Sequence, residues 1–223
     1  AQRSAVYFDN NATTRPLPKV VDAMVEILGA RFGNASSSHS GGEDARKALL
    51  QARSSVAQLL GGDPHSLLFT SSGTEANNMA LFSGMTRDKG STLVTSSIEH
   101  SSIVKTAEHL EQQGDKVTWI KPSRAGLVEV EEVQRAISRD RPNLVSVQWV
   151  NSETGVIQPV REIAAVCRHS GVLFHTDAAQ AIGKLPVSVD DLDADFVTGT
   201  AHKFHGPAGV GFVYAKNPGG LFK

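Results

Sequence analysis

A three-layer α/β fold, a mainly parallel sheet flanked by helices, is what the sequence predicts, and three observations carry that expectation. Short runs rich in Val, Ile, Leu and Phe alternate with longer segments of helical period between residues 67 and 214, the rhythm of strand–helix units that pair in parallel. One run, Val172-Leu173-Phe174-His175-Thr176-Asp177, is largely apolar until it ends in a carboxylate, as a strand buried inside a parallel sheet does. With 223 residues, 40% of them apolar, the chain can bury one large core.

Val6-Tyr7-Phe8 reads as an extended arm that enters the polar turn Asp9 to Pro16, and Pro18 opens a helix to Ala30. The arm is assigned to residues 1–15 and a single domain to residues 16–223. A polar connector, residues 33–42, precedes a helix over 45–60 with apolar positions at Ala48, Leu49, Ala52, Val56, Leu59 and Leu60. Strands follow at 67–70, 93–97, 116–120, 143–150, 172–177, 195–200 and 209–214. Helices follow at 75–83, 101–113, 130–137 and 160–170.

A formal net charge of -1 gives no electrostatic case for nucleic acid or an anionic membrane. No apolar run reaches membrane-spanning length and the first residues lack a signal-peptide pattern, so a cytoplasmic setting is expected. Cys167 is the one cysteine, on the apolar face of a helical segment, and reads as a core residue rather than a reactive thiol. Neither a disulfide nor a cysteine metal site can be built within the chain, and no metal is expected.

The chemistry is expected at Thr198-Gly199-Thr200-Ala201-His202-Lys203-Phe204-His205-Gly206-Pro207, where a lysine stands among hydroxyls and imidazoles. An amine forms a Schiff base with a carbonyl only when a dry pocket or a nearby positive charge frees its lone pair. Asp177, delivered at a strand's carboxyl end 26 residues upstream, stands where open α/β sheets bind ligands. An acid for a pyridine nitrogen and a lysine for an aldehyde together suit pyridoxal 5'-phosphate. Ser71-Ser72-Gly73-Thr74, between a strand and a helix, offers free N–H groups and hydroxyls to a phosphate; without a P-loop lysine it does not suit ATP or GTP. His100 and Asn151 each follow a predicted strand, at the same edge. Taken singly, each of these residues also suits an ordinary loop.

As a set, His175-Thr176-Asp177-Ala178-Ala179-Gln180, Ala201-His202-Lys203-Phe204-His205-Gly206-Pro207 and Val150-Asn151-Ser152-Glu153-Thr154-Gly155 resemble motifs of the cysteine desulfurases. These enzymes are class V aminotransferase relatives of fold type I, and the resemblance runs from Val6 to the chain's end. It implies a phosphate turn at Gly73 and Thr74, ring stacking and proton transfer at His100, and contacts to ring and substrate at Asn151. It also implies ring contacts at Asp177 and Gln180, phosphate ligands at Thr200 and His202, and the Schiff-base lysine at Lys203. Thr200 and Ala201 stand where serine and glycine are common.

The activity implied is conversion of L-cysteine to L-alanine with sulfur left on an enzyme cysteine, by a homodimer that supplies iron–sulfur assembly or another sulfur acceptor. A selenocysteine lyase, another class V transaminase or C–S lyase, and a non-catalytic cofactor-binding or interaction protein are the alternatives. The family's small domain, with its cysteine loop and carboxylate-binding arginine, is expected to lie outside this chain.

Overall fold

The computed structural model describes residues 6–85 and 90–220. Its helices are α1 (Pro18–Ala30), α2 (Ser40–Leu60), α3 (Gly73–Gly84), α4 (Ser101–Gln113), α5 (Val130–Asp140), α6 (Val160–His169) and α7 (Val189–Leu192). The strands are β1 (Leu67–Thr70), β2 (Thr92–Ser96), β3 (Lys116–Ile120), β4 (Leu144–Ser146), β5 (Leu173–Asp177), β6 (Phe196–Thr200) and β7 (Gly211–Ala215). They form one seven-stranded sheet in the order β1-β7-β6-β5-β4-β2-β3. Pairing is parallel from β3 through β6, while β7 runs antiparallel to both β6 and β1. The expected mainly parallel architecture is therefore the observed one, with a reversed strand near one edge.

Two cores sandwich the sheet. Ala76, Ala80 and Leu81 of α3 join Ile103, Ala107 and Leu110 of α4 over Leu93, Leu144 and Phe196. On the opposite face, Val133 and Ile137 of α5 meet Ile163 and Cys167 of α6 over Val145, Phe174 and Val197. Cys167 is fully buried, and burial pushes its thiol up to about 12, so it is the inert core residue expected. The chain leaves β2 through α4 to β3 on one side, then returns through α5 to β4 on β2's other side. That reversal opens a crevice at the carboxyl ends of β2 and β4, the place where such sheets take ligands.

The differences from expectation have local causes. Helix α2 begins at Ser40 rather than 45, because the connector packs directly on its first turn. A Cβ on Gly42 would stand 2.3 Å from the Ser37 carbonyl oxygen, so close approach overrides glycine's poor helix propensity. Leu49 and Leu59 are exposed on that helix, while Ala57 and Leu60 are buried. Helix α3 starts at Gly73, two residues early, since Ser72 caps it by accepting the Glu75 N–H at 3.1 Å. The short α7 was not anticipated; Ser188 caps it in the same manner.

The strand expected over 143–150 stops at Ser146. Beyond it, Val147 and Trp149 still donate to the His175 and Asp177 carbonyls of β5, at 3.1 and 2.9 Å. On the other side, however, the Glu99 carboxyl group accepts the Gln148 N–H at 2.9 and 3.1 Å, replacing a β2 carbonyl. A side chain has ended the ladder.

Among the described residues no helix is long and apolar enough to cross a membrane. Helix α1 buries none of its residues; Val25 and Leu28 stand exposed along it, and Phe32 just after it.

Candidate active site

Carboxyl ends of β2, β4, β5 and β6 bring His100, Asn151, Asp177 and Lys203 to one edge of the sheet. Lys203 closes a 3-10 turn, Ala201–Lys203, directly after β6. Its Nζ donates to the Asn11 carbonyl oxygen. Burial draws the amine below the usual lysine range, against the opposing pull of Asp177, Asp9 and Glu153. The lysine is thus prepared for nucleophilic work while carboxylates hold it in the cleft.

The arm supports this turn. Thr14, almost wholly buried, donates its N–H and hydroxyl to the His202 carbonyl at 2.8 and 2.9 Å and accepts the His205 N–H at 2.6 Å. His205 itself sits at φ 68, a left-handed conformation uncommon for a residue with a Cβ, pinned further by the Leu17 N–H on its carbonyl at 3.1 Å. Asn11 also receives the Gln180 side-chain amide at 3.0 Å. The sequence marks the arm and its polar turn but does not single out Asn11, whose backbone carbonyl carries no side-chain signal.

Asp177 is half-buried at the end of β5. Its Oδ1 accepts the Ala179 N–H at 2.9 Å, and its Oδ2 accepts Asn77 Nδ2 at 2.8 Å. Asn77, on the inner face of α3, was missed: an asparagine inside a helix looks like a solvated residue until the sheet beneath it is known. His100 is exposed at the N-cap of α4, its Nδ1 2.7 Å from Ser102 Oγ. Asn151 spends its Oδ1 on its own turn, accepting the Glu153 and Thr154 N–H groups at 2.9 and 2.8 Å, and donates Nδ2 to the Ile98 carbonyl at 3.0 Å. One amide hydrogen remains to it for a ligand.

The anion end lies where α3 begins. The Ser72 hydroxyl takes the Glu75 N–H and its carbonyl the Ala76 N–H, while those of Gly73 and Thr74, in the first turn, have no helical carbonyl behind them. Thr200 faces this turn: a Cβ on Gly73 would lie 3.2 Å from the Thr200 Cβ. Its hydroxyl donates to the Val210 carbonyl at 3.0 Å and keeps its lone pairs. His202 Nδ1 lies 3.1 Å from Thr13 Oγ1, and burial followed by Lys203 moves its imidazole below the usual range. Gly211 permits the turn's position, since a Cβ there would stand 2.3 Å from the Ser72 carbonyl carbon. Gly211→Ala is expected to lose at least ~1–3 kcal/mol and to displace this turn, read as a lower denaturation midpoint together with weaker phosphate-ester binding.

Glu99, also missed, is buried beside the crevice, and burial raises its carboxyl to about 8 despite hydrogen bonds from Ser96 and Gln148. An unfolded glutamate ionises near its ordinary value of 4.5, so between there and about 8 the unfolded state binds fewer protons and stability falls as pH rises. Glu99→Gln is expected to flatten this fall, on the order of a few kcal/mol, in urea titrations at pH 5 and pH 8. An unchanged slope would remove Glu99 as its source.

These residues fit pyridoxal phosphate on the structure's own terms. A helix start with unpaired N–H groups, a carboxylate at a strand end and a half-buried lysine of depressed pKa share one edge.

Comparisons with known proteins point the same way. Residues 6–219 match the family profile described as Aminotransferase class-V. A cysteine desulfurase of Bradyrhizobium diazoefficiens is 44% identical over 216 residues, which are 96% of this chain and 55% of that protein. A mitochondrial cysteine desulfurase of Arthroderma benhamiae is 42% identical over 217 residues, 95% of this chain and 43% of that one. The solved structure described as SspA in complex with cysteine superposes with a TM-score of 0.90 at 36% identity, covering 96% of this chain and 62% of that one. The chain spans about half the length of the curated relatives it matches.

Proposed function

The chain belongs to the class V aminotransferase family, and from that premise we propose that it is the large, cofactor-binding portion of a cysteine desulfurase. Its fold is that of the fold-type I pyridoxal-phosphate enzymes. The observation that carries the reading is the half-buried Lys203, its pKa depressed, at the sheet edge that also holds Asp177 and His100.

Pyridoxal phosphate, when bound, supplies an aldehyde that captures amines and a ring that stores the electron pair left when a proton departs from Cα. The chain's own residues do the rest. Gly73 and Thr74 offer N–H groups to the phosphate, with Thr200 and His202 beside them. With the group bound, Asp177 would pair with its ring nitrogen, Gln180 and Asn151 would hold the ring, and His100 would stand beside it. Lys203 would hold the aldehyde of the bound group, and its Nζ, with its lone pair freed by burial, would be the acceptor for the substrate's Cα proton. The Asn11 carbonyl is where that amine rests when free. Because these groups are held by backbone and buried side chains, charge that develops between them meets dipoles already in place.

The substrate is L-cysteine and the products are L-alanine and enzyme-bound sulfur. A homodimer, a sulfur-acceptor partner in iron–sulfur assembly and a cytoplasmic setting belong to the same reading. A C–S lyase of this family would use the same pocket, so product identity is the test. The protein is supplied with pyridoxal phosphate and L-cysteine, and alanine, pyruvate, sulfide and persulfide are measured. Alanine is expected, with the substrate's sulfur carried by a cysteine thiol other than the buried Cys167; pyruvate with free sulfide would replace the desulfurase by the lyase.

A further inference from the structure

Beneath the site runs a chain of hydrogen bonds whose direction can be followed from Asp177. A carboxylate can only accept, so the Asn77 atom 2.8 Å from Asp177 Oδ2 is the amide nitrogen. Asn77 Oδ1 therefore faces Thr198, whose hydroxyl donates to it. Thr198 is left with lone pairs, and His175 Nε2, 3.1 Å away, must carry a hydrogen to reach them. His175 is wholly buried and burial lowers it to about 3, so it is neutral with a single N–H. Its Nδ1 is then bare and accepts the Ser146 hydroxyl at 2.8 Å.

The other arm of Asn77 runs to the surface. Nδ2 has a second hydrogen, which goes to Ser102 Oγ at 2.9 Å. Ser102 can then direct its own hydrogen at His100 Nδ1, 2.7 Å away. The Ser102 backbone N–H points at the same nitrogen from 3.2 Å. With two donors aimed at it, Nδ1 has no room for a proton.

We propose that Asn77 is a positioning residue for both cofactor-facing groups: it fixes Asp177 as an acceptor and, through Ser102, fixes His100 as the tautomer protonated at Nε2. The part that concerns the ring rests on the function proposed above. The hydrogen-bond chain itself belongs to the protein alone. Its consequence is that His100 presents an N–H donor, not a base, at its free edge, so the two groups flanking the ring are set by one amide. Asn77 and Ser102 meet the reacting atoms only through these partners.

The test is the long-range proton–nitrogen NMR spectrum of the protein labelled with ¹⁵N-histidine, recorded without cofactor, with His100 assigned from His100→Gln. His100 is expected to show a pyridine-like Nδ1 and a pyrrole-like Nε2. Ser102→Ala removes the nearer donor and should move the Nδ1 resonance towards a tautomer-averaged position while leaving His175 unmoved; Ser102→Thr, which keeps the hydroxyl, should restore it. Asn77→Leu should move His100 in the same direction, and Ser102→Ala keeps the test intact if Asn77→Leu fails to fold. A pyrrole-like Nδ1 in the parent protein, or a His100 that does not move in Ser102→Ala, overturns the proposal. Pyridoxal phosphate titration of the same samples reads the proposed function separately, because failure to bind would leave these spectra as they are.

Discussion

Lys203→Ala is expected to leave a folded protein that still takes up pyridoxal phosphate but yields no borohydride-fixed adduct and turns over L-cysteine at least roughly 10²–10⁴-fold more slowly, the usual contribution of a positioned proton carrier. Folding should survive because the side chain is only half-buried and its hydrogen bond goes to an arm held independently by Thr14. Uptake should survive because the phosphate turn and Asp177 are untouched. Lys184 is the internal control. It is also drawn below the usual lysine range, by burial and then by Lys203, but its Nζ is bonded to Gln180 Oε1. Intact mass after borohydride reduction, with peptide mapping, places the adduct. An adduct on Lys184 in the parent protein, or undiminished turnover in Lys203→Ala, would move the chemistry away from Lys203.

Much of this fold is legible because burial writes itself into residue pattern. The run ending at Asp177 begins with three apolar residues, Val172 to Phe174, and β5 is paired on both sides. What was not legible is where one group replaces another. Glu99 ends the ladder at Ser146 by substituting a carboxyl for a strand carbonyl, and nothing in the 143–150 run announces it. The early start of α2 depends on the contact between Gly42 and Ser37, which exists only once the connector has folded back. The reversed direction of β7 is equally silent, since an antiparallel strand buried on both faces reads like a parallel one.

The candidate site divides in the same way. Lys203, Asp177 and His100 stand at strand ends, so alternation of strands and helices is enough to bring them to one edge. The groups that orient them are distant in sequence: Asn77 lies a hundred residues from Asp177, and Asn11 lies 192 from Lys203. Their residue types are ordinary, and only packing gives them a partner. Asn151 is the instructive intermediate, because its type and place were singled out while its oxygen proves to be spent on its own turn.

Asp177→Asn is expected to weaken cofactor binding about 10–100-fold, the loss of one charge-assisted hydrogen bond, and to slow turnover by a further ~10²–10³-fold as a fixed charge opposite the ring is removed. The substitution is nearly isosteric, yet the surroundings cannot accept it. Oδ1 receives the Ala179 N–H and Oδ2 receives Asn77 Nδ2, so both positions are lined with donors. An amide has one oxygen; whichever way it turns, its own N–H₂ meets one of them. Rotating Asn77 in response would set its oxygen against Ser102 and its nitrogen against the Thr198 hydroxyl, which would then have to turn away. A stability loss of about 1–3 kcal/mol should accompany the catalytic loss, at roughly 2–4 °C in midpoint for each kcal/mol in a chain of this size. In a cycle with Asn77→Leu the two stability losses should fall short of additive, because the donor that the introduced amide offends is already gone. Full additivity, with turnover of Asp177→Asn within a few-fold of the parent, would mean that Asp177 is a strand-end carboxylate that α3 happens to approach, and not the partner of the cofactor ring.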